Sequence, residues 1–196
     1  MGLAERTSGI AAALEASLTK HIGVFSATAV LQAYGVTPNK DDASAMQLIT
    51  DLATDIAYYA PAVSFARTWP GRTYYYQFNE PNPWDGKFKG QSTHMLDAAY
   101  LFQNFAHKME TKEKEVGIVP AADFIKFING ASPWDEYKYP RSNAKTFGPS
   151  GTTTSDTVDN DGWGHRRRDI LFKLQEAGKV DLDALSGAWD QFVAGK

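Results

Sequence analysis

Apolar residues near the start of the chain recur at the spacing of a helix. Ile10, Leu14 and Leu18 lie four residues apart and form one apolar face along residues 7–19. Ser8 stands just before this pattern and is of the residue type that caps helix starts. The pattern predicts a short surface helix.

Helical patterns continue through the next part of the chain. Residues 24–34 are almost wholly apolar and end at Gly35, a residue type that commonly stops helices. Apolar positions at helical spacing recur across residues 42–67, with Pro61 inside them. Because proline removes one backbone hydrogen bond and clashes with the preceding turn, we expect a kink or two abutting helices there.

The segment from Thr73 to Phe78 is the clearest strand in the sequence. It is dense in aromatic and β-branched residues, too short for a helix, and bounded by Pro70 and Pro81. A turn-rich loop over residues 79–93 follows it.

The remaining patterns favour helices and polar loops. Helices are expected in residues 95–105 with a charged end at 110–115, and in residues 121–128, 166–176 and 182–194. Residues 140–164 are rich in small polar residues and predict an extended surface segment. A lone strand leaves its backbone groups without partners. We therefore expect most of the sheet to lie outside this sequence.

Composition excludes several classes of protein and several kinds of functional site. The chain has 196 residues, 43% of them hydrophobic, and a net charge of −3, which fits a globular protein and argues against a nucleic-acid partner. No apolar run approaches the ~20 residues of a membrane span. The absence of cysteine excludes disulfides and a thiolate nucleophile. No signal peptide is visible after Met1, and both cytoplasmic and secreted locations stay open.

One succession of elements indicates a catalytic site: the aromatic strand, its loop, and then His94 at the start of a helix. In α/β-hydrolases the catalytic histidine follows the nucleophile and the acid in the chain. A histidine between a strand and a helix can reach across the carboxyl end of a sheet, where a nucleophilic serine would lie. His94 is therefore the candidate catalytic residue.

The residues around His94 match a family pattern. The matching positions are Tyr76, Gln77 and Phe78 in the strand, then His94, Asp97, Tyr100, Phe102 and Asn104. Further matches are residues 55–61 before the strand, and residues 124–127, Pro133 and 134–137 after it. Together they resemble the C-terminal part of type B carboxylesterases, the cholinesterase-like α/β-hydrolases. The final helices resemble those of the fungal members. Met95 departs from the small residue usual in that family.

The resemblance implies a division of the catalytic groups. His94 would be the general base, with Asp97 in a supporting role near it. The serine would lie before Met1 and the acid at or before Met1, which makes Glu5 and Glu15 poor candidates for the acid. A G-x-S-x-G nucleophile elbow is missing, because the residues around Ser92 and Ser150 fail its spacing and neither serine is expected to follow a strand.

Other candidate groups have simpler interpretations. His21, His107 and His165 lack metal-ligand spacing, so solvated or packed side chains are expected. The tyrosines at residues 74–76 could form a stacking platform, but a half-buried strand explains them more simply. The arginines at residues 166–168 follow several aspartates, which favours a solvated face over a phosphate site.

These observations lead to one principal hypothesis and one alternative. Residues 1–196 are predicted to be the C-terminal segment of one α/β-hydrolase domain, mostly helical with one or few strands. The chain would supply the histidine of a serine-type carboxylic ester hydrolase acting on a small-molecule ester, without a cofactor or metal. The missing N-terminal part of the fold would be its partner. The alternative is a non-catalytic fragment or helical interaction module derived from the same fold.

Overall fold

The computed structural model describes residues 8–139, 143–150, 153–157 and 170–195. They form two compact units. The first unit joins the residues up to 65 to those from 170 onward, and the second runs from residue 66 to residue 157.

Helices make up most of the described chain. In order, the elements are α1 (Ile10–Tyr34), α2 (Asp42–Thr54), a π-helical turn (Asp55–Tyr59), α3 (Ala60–Thr68), β1 (Tyr76–Phe78), α4 (Leu96–Leu101), a 3₁₀ turn (Ala106–Lys108), α5 (Thr111–Ile128), β2 (Asn143–Phe147), β3 (Thr153–Thr157), α6 (Ile170–Glu176) and α7 (Leu182–Val193).

Helix α1 joins the first two predicted helical segments. Gly23 interrupts it with φ 78° and ψ 158°, so the two segments meet at a kink. The prediction of a Ser8 cap is wrong, because the N-cap residue is Gly9 and no side chain caps the helix from that position. Instead the amide of Ile10 donates to Oδ1 of Asp42 at 3.1 Å, which ties α1 to the start of α2.

The predicted disruption near Pro61 is confirmed. The long helical stretch divides into α2 and α3, separated by the π-helical turn just before Pro61. Asp55 opens that turn, is buried, and accepts a hydrogen bond from the Tyr34 hydroxyl at 2.7 Å. This bond links α1 to the turn.

The core of the first unit lies where α1 packs against α2 and α7. Its fully buried side chains include Leu14, Leu18, Val30, Ile49, Leu52, Leu185 and Phe192. Helix α7 confirms the last predicted helix, and α6 confirms most of the one before it. The arginines at residues 166–168 and His165 lie outside the described residues.

The sheet of the second unit has the order β1-β2-β3. Strand β2 runs parallel to β1 and antiparallel to β3, with Phe78 beside Phe147 in the parallel pair. The prediction of an extended surface segment over residues 140–164 is wrong for β2, whose Ala144 and Phe147 are buried. The aromatic strand has a neighbour within the chain, which the prediction of one or few strands allows. Strand β1 is also shorter than predicted. It lies at the edge of the described sheet, with no strand on its other side in that part of the chain.

Aromatic packing forms much of the core of the second unit. Leu96, Tyr100, Met109, Val116 and Phe147 are its buried members, with Tyr76, Phe78, Trp84, Val119 and Trp134 packed around them. The rings of Tyr74 and Tyr76 both meet Trp134 edge to face. These contacts favour the half-buried strand over an exposed stacking platform.

The prediction that the charged residues 110–115 end a helix is wrong. Residues 110–115 begin helix α5 instead of ending the previous one, because Glu110 and Glu113 form a capping box around its first turn. The helix then continues through Pro120 to Ile128. Gly117 permits close packing against α4, since a Cβ there would lie 2.9 Å from the carbonyl oxygen of Tyr100.

The described chain is thus mostly helical with a small mixed sheet, which is compatible with the α/β class. None of the helices it describes has the length and hydropathy needed to cross a membrane.

Candidate functional site

The loop after β1 folds back on the strand it leaves. Asn82 pairs with the far side of the loop through backbone bonds of 3.0 Å to Gln91 and 2.8 Å from Gly90. The Ser92 hydroxyl then donates to the carbonyl oxygen of Phe78 at 2.7 Å. Both ends of the loop therefore meet at the carboxyl end of β1, as in a compact closed loop.

His94 lies two residues beyond that closing bond, exposed, in the turn that leads into α4. The amide of Leu96 donates to the carbonyl of Thr93 across this turn at 3.1 Å. Met95 has φ 67°, in the left-handed region that glycine adopts most easily. Glycine at this position would relieve that backbone strain. The structure therefore places His94 in a loop at the end of a parallel strand.

Asp97 connects the first turn of α4 to β1. Its Oδ2 accepts a hydrogen bond from the Tyr76 hydroxyl at 2.9 Å, and its Oδ1 accepts from the Ala98 amide at 2.9 Å. Burial and the charge of Asp97 raise the pKa of Tyr76 well above its usual value. Asp97 thus fixes the helix that begins directly after His94. Asp97 therefore both bonds a neighbouring strand residue and places an acidic side chain in the first turn of α4.

Glu80 is a buried carboxyl group at the same end of β1. Its side chain is 1% exposed, and its Oε1 accepts a hydrogen bond from the Ser150 hydroxyl. Its Oε2 has no hydrogen-bond partner among the described residues. Burial, opposed by the Ser150 bond and reinforced by the charge of Glu113, raises the pKa of Glu80. Burial thus shifts the balance of this group toward its neutral form.

Two further polar groups lie buried in this core. The Tyr100 hydroxyl and Nε1 of Trp84 have no hydrogen-bond partner among the described residues, and the two rings pack 6.3 Å apart. Burial, then the charges of Glu80 and Glu113, raise the pKa of Tyr100 well above its usual value. Tyr100 therefore stays a neutral phenol beside Glu80.

Parallel pairing brings three polar residues to one edge of the sheet. Glu80 and His94 follow β1, and Ser150 follows β2, whose carboxyl end lies beside that of β1. The expectation that Ser150 does not follow a strand is wrong. Its hydroxyl donates a hydrogen bond to Glu80. Sequence reasoning missed Glu80, and the only signal for it was its place two residues after the strand.

The other candidate residues lie apart from this edge. His21 is on α1, with Nδ1 2.8 Å from the carbonyl oxygen of Ser17, and His107 is exposed on the 3₁₀ turn. Glu15 is half-buried on α1, while Glu5 falls outside the described residues. Within the part of the chain that the structure describes, no group of three or more His, Asp or Glu residues could hold a metal ion.

Comparisons with protein-family models, with curated proteins and with solved structures find no match to this chain. The geometry around His94 and Glu80, together with the resemblance of the sequence, is what bears on function.

Replacing Glu80 by glutamine is expected to remove a pH dependence of stability. Because the folded protein raises the pKa of Glu80, it holds this proton more tightly than the unfolded chain does. Protonation of Glu80 stabilises the folded state fully below the pKa of a glutamate in the unfolded chain, about 4.3. That stabilisation is lost as the pH rises through the higher pKa of Glu80 in the folded protein. The free energy of unfolding of Glu80→Gln minus that of the unchanged protein should therefore increase from about pH 4 to about pH 8.

Urea titrations across this pH range measure that difference. Glu115→Gln is the matched control, because it neutralises an exposed glutamate on α5. Stability curves of Glu80→Gln and the unchanged protein that run parallel over the whole range would contradict the assignment.

Proposed function

We propose that this chain supplies the general base of a serine-type carboxylic ester hydrolase. His94 is that base, and a segment outside this sequence carries the serine and the acid. The observation that carries the proposal is the place of His94: exposed, directly after a closed loop, at the carboxyl end of a parallel strand. That is where an α/β-hydrolase presents its catalytic histidine.

The chemistry assigned to His94 is proton transfer. Its imidazole accepts the serine proton while the serine oxygen attacks the ester carbonyl carbon. It then gives that proton to the departing alcohol as the carbon–oxygen bond breaks, leaving an acyl-enzyme. Water repeats the sequence and releases the acid. Such general acid–base catalysis contributes typically ~10²–10⁴-fold to the rate.

Asp97 and Tyr76 support this role by holding the start of α4. The histidine stands three residues before Asp97, and the 2.9 Å bond from Tyr76 anchors that first helical turn on β1. A base works only at hydrogen-bond reach of the proton that it takes, so a fixed backbone at His94 favours catalysis.

Exposed apolar surface favours a larger fold around this chain. Ile118, Ile125 and Ile128 lie on one side of α5, opposite Val116 and Pro120, which are buried. All three isoleucines are more than half exposed, and such a stripe on a helix commonly marks a covered surface. Among the described residues no strand lies on the side of β1 away from β2, so a further strand could pair there. We assign this surface to the N-terminal part of the hydrolase.

Joining the chain to the nucleophile-bearing part of a type B carboxylesterase tests the proposal. The joined protein should hydrolyse p-nitrophenyl butyrate, whereas the nucleophile-bearing part alone should not. Hydrolysis that is the same with and without this chain would contradict the proposed function.

The chain by itself is expected to be inactive. Purified and assayed with p-nitrophenyl acetate or butyrate, it should give the same rate as its His94→Ala variant. The reason is that a positioned nucleophile and oxyanion donors supply most of the rate of such enzymes. A burst of acylation on any serine of this chain would overturn the expectation, and Ser150→Ala would identify whether that serine was responsible.

The interaction module stays the alternative function, and the apolar stripe of α5 fits it as well. The two functions differ in what the isolated chain should do. A module folds by itself, so it should be a monodisperse monomer with one sharp thermal transition. A part of a larger hydrolase should bind hydrophobic dye or aggregate through its open edge and exposed isoleucines.

A further inference from the structure

We propose that Glu80 is the positioning residue for His94: its buried side chain, held by Ser150, fixes the loop that carries the histidine. This inference rests on the proposed function of His94. It adds a residue that does not touch the substrate and acts through the backbone between residues 80 and 94.

The first step is the anchoring of the loop at its start. Glu80 is the second residue after β1, and its hydrogen bond with Ser150 joins it to the segment that follows β2. Just before it, the Asn79 amide donates to the carbonyl oxygen of Phe147 at 2.8 Å, which extends the parallel pairing. The loop therefore starts from a segment held to β2 and the turn after it by one backbone bond and one side-chain bond.

The second step is the close approach of Gly148 to Glu80. A Cβ built on Gly148 would lie 2.6 Å from the Glu80 nitrogen and 2.7 Å from its Cα, and Gly148 has φ +86°. The backbone of residue 80 is thus enclosed by the turn after β2 and cannot shift toward it. Burial of the side chain, at 1% exposure, restricts it on the other sides.

The third step is transmission from Glu80 to His94. The loop is closed on itself, with the bonds of Asn82 to Gln91 and Gly90 across it and the Ser92 bond at its end. A compact closed loop moves as one piece, so release of its start loosens its end. His94 follows that end by two residues.

Amide hydrogen exchange of the full 196-residue chain tests the inference without any assay of activity. The reporters are the bonded amides of Asn82, Gly90, Gln91 and Leu96. Glu80→Ala and Ser150→Ala should each speed their exchange ~10-fold or more, since each removes the anchoring bond. Glu80→Gln keeps an oxygen that accepts from Ser150, so it should preserve slow exchange.

Lys89→Ala is the matched control in the same loop, because it removes only the exposed ion pair with Asp85. It should leave the four reporter amides unchanged. Amides of α7, in the other unit, show whether a variant has merely lost global stability. If Glu80→Ala fails to fold, Ser150→Ala gives the same test.

Two results would overturn the positioning role. One is exchange of the reporter amides that stays unchanged in Ser150→Ala. The other is acceleration of exchange by Glu80→Gln equal to that by Glu80→Ala.

In the joined hydrolase, Ser150→Ala should lower kcat ~10-fold at unchanged KM, because the base and not the substrate is misplaced. If His94→Ala leaves kcat intact, the proposed function fails whatever the exchange result is, so the two failures are distinct.

Discussion

Alanine in place of Gly148 is expected to destabilise the second unit by ~2–4 kcal/mol. Its methyl group would lie 2.6 Å from the backbone nitrogen of Glu80, closer than carbon and nitrogen can approach without movement. The φ of +86° adds the cost of a left-handed conformation for a residue with a side chain. Chemical unfolding followed by tyrosine and tryptophan fluorescence measures the loss.

Gly130→Ala separates the two causes of this loss. Gly130 also has a positive φ, +80°, but nothing lies within 4 Å of a Cβ built there. It should therefore lose only the conformational part, ~1 kcal/mol. Equal losses at the two glycines would show that Gly148 and Glu80 are not in close contact, and the anchoring of the loop would fail with it.

The sequence predicts the elements around His94 because their signals are local. Aromatic and β-branched residues in a short run mark β1, and Pro81 and the glycines after it mark the loop. The apolar residues after His94 mark a helix, although α4 is shorter than its pattern indicates. Each of these depends on neighbouring residues alone.

The second and third strands escape prediction because their partners stabilise them more than their composition does. Strand β2 contains Asn143 and Lys145, and β3 is built of Thr, Ser and Asp. Strand β2 forms through its pairing with β3 and with β1, and the pairing with β1 requires a contact over some seventy residues of sequence. Without β2, the edge that brings Glu80 close to Ser150 could not be foreseen.

Residues 110–115 show a second reason why the sequence pattern does not fix every element. A run of charges predicts a helix terminus but not which terminus. The side chains decide, because Glu110 and Glu113 accept from amides at the start of α5 and form its capping box. The helix predicted over residues 121–128 is also longer than its pattern indicates, because α5 runs through Pro120 from Thr111.

Loss of the imidazole at His94 is expected to have the largest effect on activity. In the joined hydrolase, His94→Ala should lower kcat by ~10³-fold or more, since a triad without its base retains only substrate binding and oxyanion stabilisation. Asp97→Asn should be milder, ~10-fold, because the amide still accepts from the Tyr76 hydroxyl through its oxygen. Initial rates at saturating p-nitrophenyl butyrate measure both.

The four histidines of the chain provide the most direct test of the central claim, that His94 is the base. The measurement is kcat of the joined hydrolase with His21, His94, His107 or His165 replaced singly by alanine, each variant first shown to fold. His21 bonds the Ser17 carbonyl within its own helix and His107 is exposed on the 3₁₀ turn, so neither change should matter. The account predicts a loss of ~10³-fold at His94 and less than about threefold at the other three. Equal activities in all four variants, or a larger loss at any histidine other than His94, would contradict it.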